Sequence, residues 1–245
     1  MSFYRFETGG LIDRSKALRF TFDGRALEGF GGDTLASALL ANGVSLMGRS
    51  FKYHRPRGLL SGGASEPNAL VTLGDGATRE PNLRASMVGL RDGLRAESQN
   101  RWPSLGFDVG AVNQALSPFL GAGFYYKTFM WPAALWEKLY EPVIRRAAGL
   151  GRASHAPDLQ EYETRWAQCD VLVIGAGPAG LMAALSAARA GARVVLCDEN
   201  FEFGGRLIKD RVEIGDTDGP GFANSVIAEL AGNANVRLLA NTTVF

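Results

Sequence analysis

An α/β chain whose N-terminal part is of α+β type is predicted by three observations. Near residue 170 an apolar run passes into a glycine-spaced turn, an Ala-rich segment and a second apolar run. Near residue 18 an alternating run turns at Asp23-Gly24, returns, and leads into a capped helical segment. Between these two parts the chain is rich in Gly, Pro and aromatic residues.

The glycine-spaced turn is the most informative stretch. Val171–Ile174 has the length and continuous apolar character of one buried parallel strand. Gly175, Gly177 and Gly180 then form G-x-G-x-x-G where the strand should pass into a helix, with Ala176, Pro178 and Ala179 between them. Gly175 suits the tight turn, Gly177 lets backbone approach a pyrophosphate, and Gly180 permits close helix–strand packing. Pro178 fits a first helical turn, and Gly191 a helix C-terminus. A second strand, Val194 to Cys197, ends at Asp198, whose carboxylate is expected to accept both hydroxyls of an adenosine ribose. The helix N-terminus offers unpaired N–H groups and a positive dipole end to a diphosphate. Asp198 disfavours a 2′-phosphate by charge repulsion, which favours NAD or FAD over NADP. The fingerprint does not separate those two, since both carry the same ADP half. The competing reading of the glycines is a structural turn in an α/β domain.

Composition bounds the rest. The chain has 245 residues, 46% of them hydrophobic, and a net charge of +1, enough for a real core and too balanced for bulk nucleic-acid attraction. Its apolar runs fall far short of the ~18–20 residues of a membrane span, and MSFYRFETGGLIDRSK holds no apolar signal-type core. Cys169 and Cys197, the only two cysteines, flank separate strands and read as small buried residues in a reducing compartment, so a cytoplasmic protein is expected. An apolar run from Val236 to Leu239 reads as a third strand of the nucleotide domain. The chain stops soon after it, so that domain is expected to be truncated.

At the N-terminus, Leu18 to Phe22 alternates, Asp23-Gly24 supplies a hairpin turn, and Arg25 to Phe30 returns. Asp33 and Thr34 can cap a helix from Leu35 to Asn42, closed by Gly43. Hairpin then helix is how a β-grasp domain of ferredoxin type begins. In plant-type iron–sulfur domains the following loop carries C-x4-C-x2-C, and at that spacing this chain offers Ser61, Glu66 and Ala69. With no thiolate, no cluster can be ligated. Two readings stay open, a ferredoxin-like shell with a vacated metal site and an ordinary surface loop. The basic run Lys52, His54, Arg55 and Arg57 reads as a solvated face or as a phosphate or partner contact. His54 has no second His or Cys nearby to make a metal site, and His155 reads as exposed.

Three divisions are expected: a ferredoxin-like domain at 1–95, an aromatic connecting segment at 96–165, and a dinucleotide-binding domain at 166–245. The middle segment holds Trp102, Phe124, Tyr125, Tyr126, Phe129, Trp131 and Trp136. Its rings must pack between the chain's own domains or at a subunit interface, where Tyr and Trp are enriched. Leu135 to Ala148 has partial helical spacing interrupted by Pro142, and Gly149 to Asp158 reads as a linker.

These stretches together resemble the alpha subunit of heterotetrameric sarcosine oxidase. The resemblance covers nearly the whole chain: GGLIDRSKALRFTFDGRALEGFGGDTLASALLANG, GRSFKYHRPRGLLSGGASEPNALV, AESQNRWPSLGFDVGAVN, GFYYKTFMWP, WEKLYEPVIRRAAGLG and VLVIGAGPAG. It implies an N-terminal fragment of that subunit. It also implies oxidative demethylation of sarcosine to glycine, with O2 becoming hydrogen peroxide and the methyl carbon passing to tetrahydrofolate. Oxidation is implied on FAD in the beta subunit, with a covalent FMN on beta at the alpha/beta interface, and gamma and delta subunits complete the complex. The implied cofactor of this chain is NAD, with Gly175, Ala176, Gly177, Pro178, Ala179 and Gly180 at the diphosphate and Asp198, Glu199 and Asn200 at the ribose. Gly205, Arg206 and Val244 are weaker additions. The cluster-free loop fits the same resemblance. The family's subunit continues into a folate domain that has no counterpart in this sequence.

No nucleophile–base pair and no redox disulfide follows the fingerprint, so no residue is assigned a catalytic role, and no metal is expected. The fragment alone is expected to be inactive. Two further readings remain, the FAD-binding large subunit of an amine or opine dehydrogenase, and a non-catalytic scaffold with a structural nucleotide. Neither nucleic acid nor membrane is an expected partner.

Overall fold

A computed structural model describes residues 4–123, 131–147, 150–157, 166–210 and 212–245. It divides into two compact units, 1–160 and 161–245, each of which is built around its own core. Of the connecting segment expected at 96–165, residues 96–160 are grouped with the first unit and 161–165 with the second.

The first unit is built on a hairpin of β1 (Asp13–Phe22) and β2 (Arg25–Gly31). Leu18, Phe20 and Phe22 alternate inward, as a half-buried strand requires. Asp23 and Gly24 turn with positive φ, the backbone that Asp-Gly hairpins favour. Helix α1 (Leu35–Ala41) follows. Thr34 caps it and forms a reciprocal box with Ser37, and its buried face carries Leu35, Ala38 and Leu39. The short strands β3 (Gly48–Arg49) and β4 (Pro56–Arg57) pair with each other. β5 (Leu70–Leu73), β6 (Glu80–Arg84) and β7 (Leu94–Ser98) complete a five-stranded sheet in the order β2-β1-β7-β5-β6. Only β1 and β7 pair in parallel within it. Phe20, Leu35, Leu39, Met47 and Val71 are fully buried in its core.

Beyond this sheet, the described part of the run read from Leu135 to Ala148 is not one regular helix. A 3-10 turn at Ala133–Leu135 and a π turn at Trp136–Tyr140 lead into α2 (Glu141–Ala147). Pro142 is the second residue of α2, at the junction where the π turn passes into the α-helix, and it contributes no N–H there. Phe124, Tyr125, Tyr126, Phe129, Ala148, Gly149 and Asp158 lie outside the described residues.

The second unit holds a parallel sheet ordered β12-β9-β8, from β8 (Val171–Ile174), β9 (Val194–Cys197) and, after the intervening elements, β12 (Val236–Leu239). Each of the three apolar runs read in the sequence is a strand. Between them lie α3 (Pro178–Arg189), the pair β10 (Glu213–Ile214) and β11 (Thr217–Asp218), and α4 (Gly219–Ala231). Central β9 is buried throughout, whereas edge strand β8 leaves Leu172 and Ile174 exposed. The buried strand expected at Val171–Ile174 is therefore only half-buried, with Val173 turned into the core. The difference is positional: among the described residues β9 has a strand on each side, whereas β8 has a neighbour on one side only and turns Leu172 and Ile174 away from the core that Val173 shares with α3 and α4. Among the described residues no helix is long and apolar enough to cross a membrane.

Candidate dinucleotide site and the cluster-type loop

The end of β8, the turn after it and the start of α3 form the candidate site. Gly175 has φ +96°, a conformation L side chains rarely adopt, and its N–H donates to the Cys197 carbonyl at 2.7 Å. A Cβ on Gly180 would be driven into the Gly175 carbonyl oxygen, so the helix can approach the strand this closely only with glycine there. A Cβ on Gly177 would meet nothing within 4 Å, which leaves its backbone face open. Helix α3 starts at Pro178 with no side-chain cap on Gly177. The first intrahelical acceptor is used by Leu181, whose N–H reaches the Gly177 carbonyl at 2.9 Å. The N–H groups of Ala179 and Gly180 therefore precede the helical ladder and are free to receive an anion.

Gly204 and Gly205 close the other side of this turn. The Gly204 N–H donates to the Ala176 carbonyl at 2.8 Å, and a Cβ on Gly205 would lie 2.9 Å from the Gly177 Cα. Arg206, which follows them, is exposed and pairs with Asp210 at 2.9 Å. The chain's final residues are stitched to the end of β9: the Asn241 N–H donates to the Asn200 carbonyl and the Thr242 N–H to the Asp198 carbonyl. Val244, two residues on, is 40% exposed.

The carboxylates at the end of β9 are arranged differently from the expected pattern. Asp198 is buried, and both its oxygens have partners inside the protein. Oδ2 accepts from the Ala176 N–H at 2.6 Å, and Oδ1 accepts from the Asn200 backbone N–H at 2.8 Å and its Nδ2 at 2.6 Å. Asp198 thereby fixes the glycine turn from within. The exposed carboxylate at this strand end is Glu199. Sequence reasoning named both residues, but gave the main role to the one that the fold turns inward. Burial pushes the thiol of Cys197 above its ordinary value, away from thiolate reactivity. Both cysteines are free.

In the first unit the basic run is largely engaged. Lys52 Nζ donates to the Gly121 carbonyl at 2.9 Å, and Arg55 stacks over the Tyr53 ring at 4.8 Å. His54 Nδ1 lies 2.6 Å from Asp108 Oδ2. No group of three or more metal-ligating side chains occurs among the described residues. In the loop that follows, Glu66 is 1% exposed and accepts four backbone N–H groups. Trp102, Phe107, Phe119 and Trp131 remain exposed.

Comparisons with known proteins follow this division. Residues 15–101 match the family described as 2Fe-2S iron-sulfur cluster binding domain, and residues 170–218 match FAD dependent oxidoreductase. The fold is thus a ferredoxin-like domain followed by an FAD-dependent-oxidoreductase region. The chain is also similar in fold to L-proline dehydrogenase from P. horikoshii, with a TM-score of 0.52 at 20% identity, covering 96% of this chain and 34% of that one. Against the sarcosine oxidase subunit alpha of Corynebacterium sp. (strain U-96) it is 36% identical over 97% of its length, covering 20% of that subunit. The match to the same subunit of Rhizobium meliloti (strain 1021) is 64% over all 245 residues, or 25% of that relative. Over its whole length, then, the chain is similar to the alpha subunit of sarcosine oxidase and spans about a quarter of that subunit.

Proposed function

We propose that this chain contributes the dinucleotide-binding region of a sarcosine oxidase alpha subunit, with NAD as its cofactor. The single observation that carries the binding role is the uncapped start of α3 beside an open glycine turn, with the Glu199 carboxylate exposed at the end of β9. Gly177, Ala179 and Gly180 would receive the diphosphate through backbone N–H groups, and Pro178 would hold the first helical turn. Glu199 would accept the ribose hydroxyls, and Asp198 would hold the turn and Asn200 in place. Val244 would border the adenine end, while Gly205 would support the turn and Arg206 its rim. No residue of this chain is assigned a catalytic role, so the dinucleotide is proposed as a structural cofactor.

The assembled enzyme would oxidise sarcosine to glycine on FAD in the beta subunit, with O2 giving hydrogen peroxide and the carbon unit passing to tetrahydrofolate. A covalent FMN on beta would lie near this subunit, and gamma and delta would complete a cytoplasmic heterotetramer. Exposed Trp102, Phe107, Phe119 and Trp131 suit a partner-facing surface. This chain on its own would show no turnover.

A second reading, FAD in the fingerprint site, is favoured by the match of residues 170–218 to FAD dependent oxidoreductase. The two are separated by releasing the non-covalent cofactors of the full complex and identifying them by mass, for wild type and Glu199→Gln. Loss of NAD with FAD retained supports the first reading. Loss of FAD instead moves the redox flavin to this chain, and loss of neither removes Glu199 from the site.

A further inference from the structure

The first unit matches a family that carries an iron–sulfur cluster, yet its donors do not fit one. Residues 15–101 contain no cysteine, and the chain's two thiols belong to the second unit. The residues at the C-x4-C-x2-C spacing are Ser61, Glu66 and Ala69. A serine, a carboxylate and a methyl group are not the thiolate set that holds iron and sulfide.

The fold nevertheless brings these three positions together, and Glu66 is what joins them. Its side chain points into the loop and is all but inaccessible to solvent. Oε2 accepts from the Leu60 N–H at 2.7 Å and the Ser61 N–H at 2.6 Å. Oε1 accepts from the Asn68 N–H at 2.6 Å and the Ala69 N–H at 3.1 Å. The middle position of the triplet therefore binds the backbone of the other two. Burial alone would raise this carboxyl, but the N–H groups of Ser61, Asn68, Leu60 and Ala69 outweigh that and hold it below its ordinary value. The surroundings tie the same loop to the sheet. Arg84 Nε donates to the Glu66 carbonyl at 3.0 Å, Ser86 Oγ to the Gly63 carbonyl at 2.9 Å, and the Ala85 N–H to the Ala69 carbonyl at 2.8 Å.

We propose that the Glu66 carboxylate has replaced the cluster as the anion around which residues 60–69 fold, so that this unit assembles without iron or sulfide. A cluster is a buried negative charge encircled by backbone N–H donors, with covalent bonds to the loop. A buried carboxylate with all four donors in place meets the same electrostatic demand through charge-assisted hydrogen bonds. What it gives up is the covalent cross-link and electron transfer. The loop becomes a structural part of the unit, and its order depends on one ionised side chain.

The test is hydrogen–deuterium exchange of the full-length subunit, read on peptides covering residues 59–70 and, as a control, 169–200. Glu66→Gln keeps the shape but turns an NH2 group toward two N–H donors. Exchange in 59–70 should rise by about tenfold or more, with the control peptide unchanged. Unchanged exchange in 59–70 would overturn the proposal. Should Glu66→Gln not accumulate as folded protein, Glu66→Asp keeps the charge on a shorter arm and should exchange faster than wild type in the same peptide. A folded Glu66→Asp subunit with wild-type exchange again overturns it. Wild type treated anaerobically with ferrous iron and sulfide should gain no charge-transfer absorption, and uptake of a stoichiometric cluster would count against the assignment.

Discussion

At the scale of single residues, the most telling contrast is between two neighbouring carboxylates. Asp198 and Glu199 are adjacent in sequence, yet one is buried with three donors and the other faces solvent. Their substitutions should separate cleanly. Asp198→Ala leaves the Ala176 N–H without its acceptor and should destabilise the second unit by about 1–3 kcal/mol, seen by thermal or urea unfolding. Glu199→Gln should leave that unfolding unchanged and weaken dinucleotide binding about tenfold, measured by titration calorimetry. A Glu199→Gln variant with wild-type affinity would remove the ribose role from this residue. Gly180→Ala should do both kinds of damage, because its methyl meets the Gly175 carbonyl and forces α3 away from β8.

At the scale of elements, two polar clasps hold strands and helices in register. In the first unit Asp33 is buried beside the start of α1. Its oxygens accept from both terminal nitrogens of Arg5, from the Phe30 N–H and from Ser37 Oγ. Asp33→Ala strands the Arg5 guanidinium and unlinks β2 from α1, so a loss of about 3–5 kcal/mol is expected in chemical denaturation. In the second unit Asp170 and Arg193 join the entrances of β8 and β9, with Arg193 Nη2 2.7 Å from Asp170 Oδ1. The Arg193 side chain holds the Asp170 carboxyl down at about 2. The folded-state value is depressed, so the contribution is present above the ordinary carboxylate range and fades as pH falls toward about 2. Both groups are solvent-exposed, so the effect on stability is small. The sharper readout is an NMR titration: Arg193→Ala should return Asp170 toward its ordinary value.

At the scale of the whole molecule, the two units have different relations to cofactors. The second presents an uncapped helix start and an exposed carboxylate, on which the proposed dinucleotide site rests. Adding the proposed dinucleotide at about 100 times its Kd should stabilise the folded form by roughly 2.7 kcal/mol, detectable as a raised melting transition. No shift with either NAD or FAD would argue against a binding site there. The first unit keeps the fold of a cluster-binding domain while its donor set has changed, and no nucleotide-dependent shift is expected from it.

Much of this was legible in the amino-acid sequence. The three strands of the second unit follow from continuous apolar runs, and the hairpin at Asp23-Gly24 and the cap at Thr34 follow from local turn and capping chemistry. The glycine spacing located the tight turn between β8 and α3, because positive φ and close backbone approach are demands that glycine alone meets easily. Local patterns could not say which of Asp198 and Glu199 faces inward, since that depends on how the end of β9 meets the turn after β8. Nor could they show that Glu66 gathers N–H groups from residues 60 to 69, a convergence that exists only when the loop closes on itself against Arg84 and Ser86. Sequence by itself determined the strands, the hairpin and the glycine turn, through periodicity and glycine geometry. Tertiary structure alone decided that Asp198 and Glu66 are internal anchors while Glu199 faces solvent, because burial and hydrogen-bond partners depend on how segments apart in the chain meet.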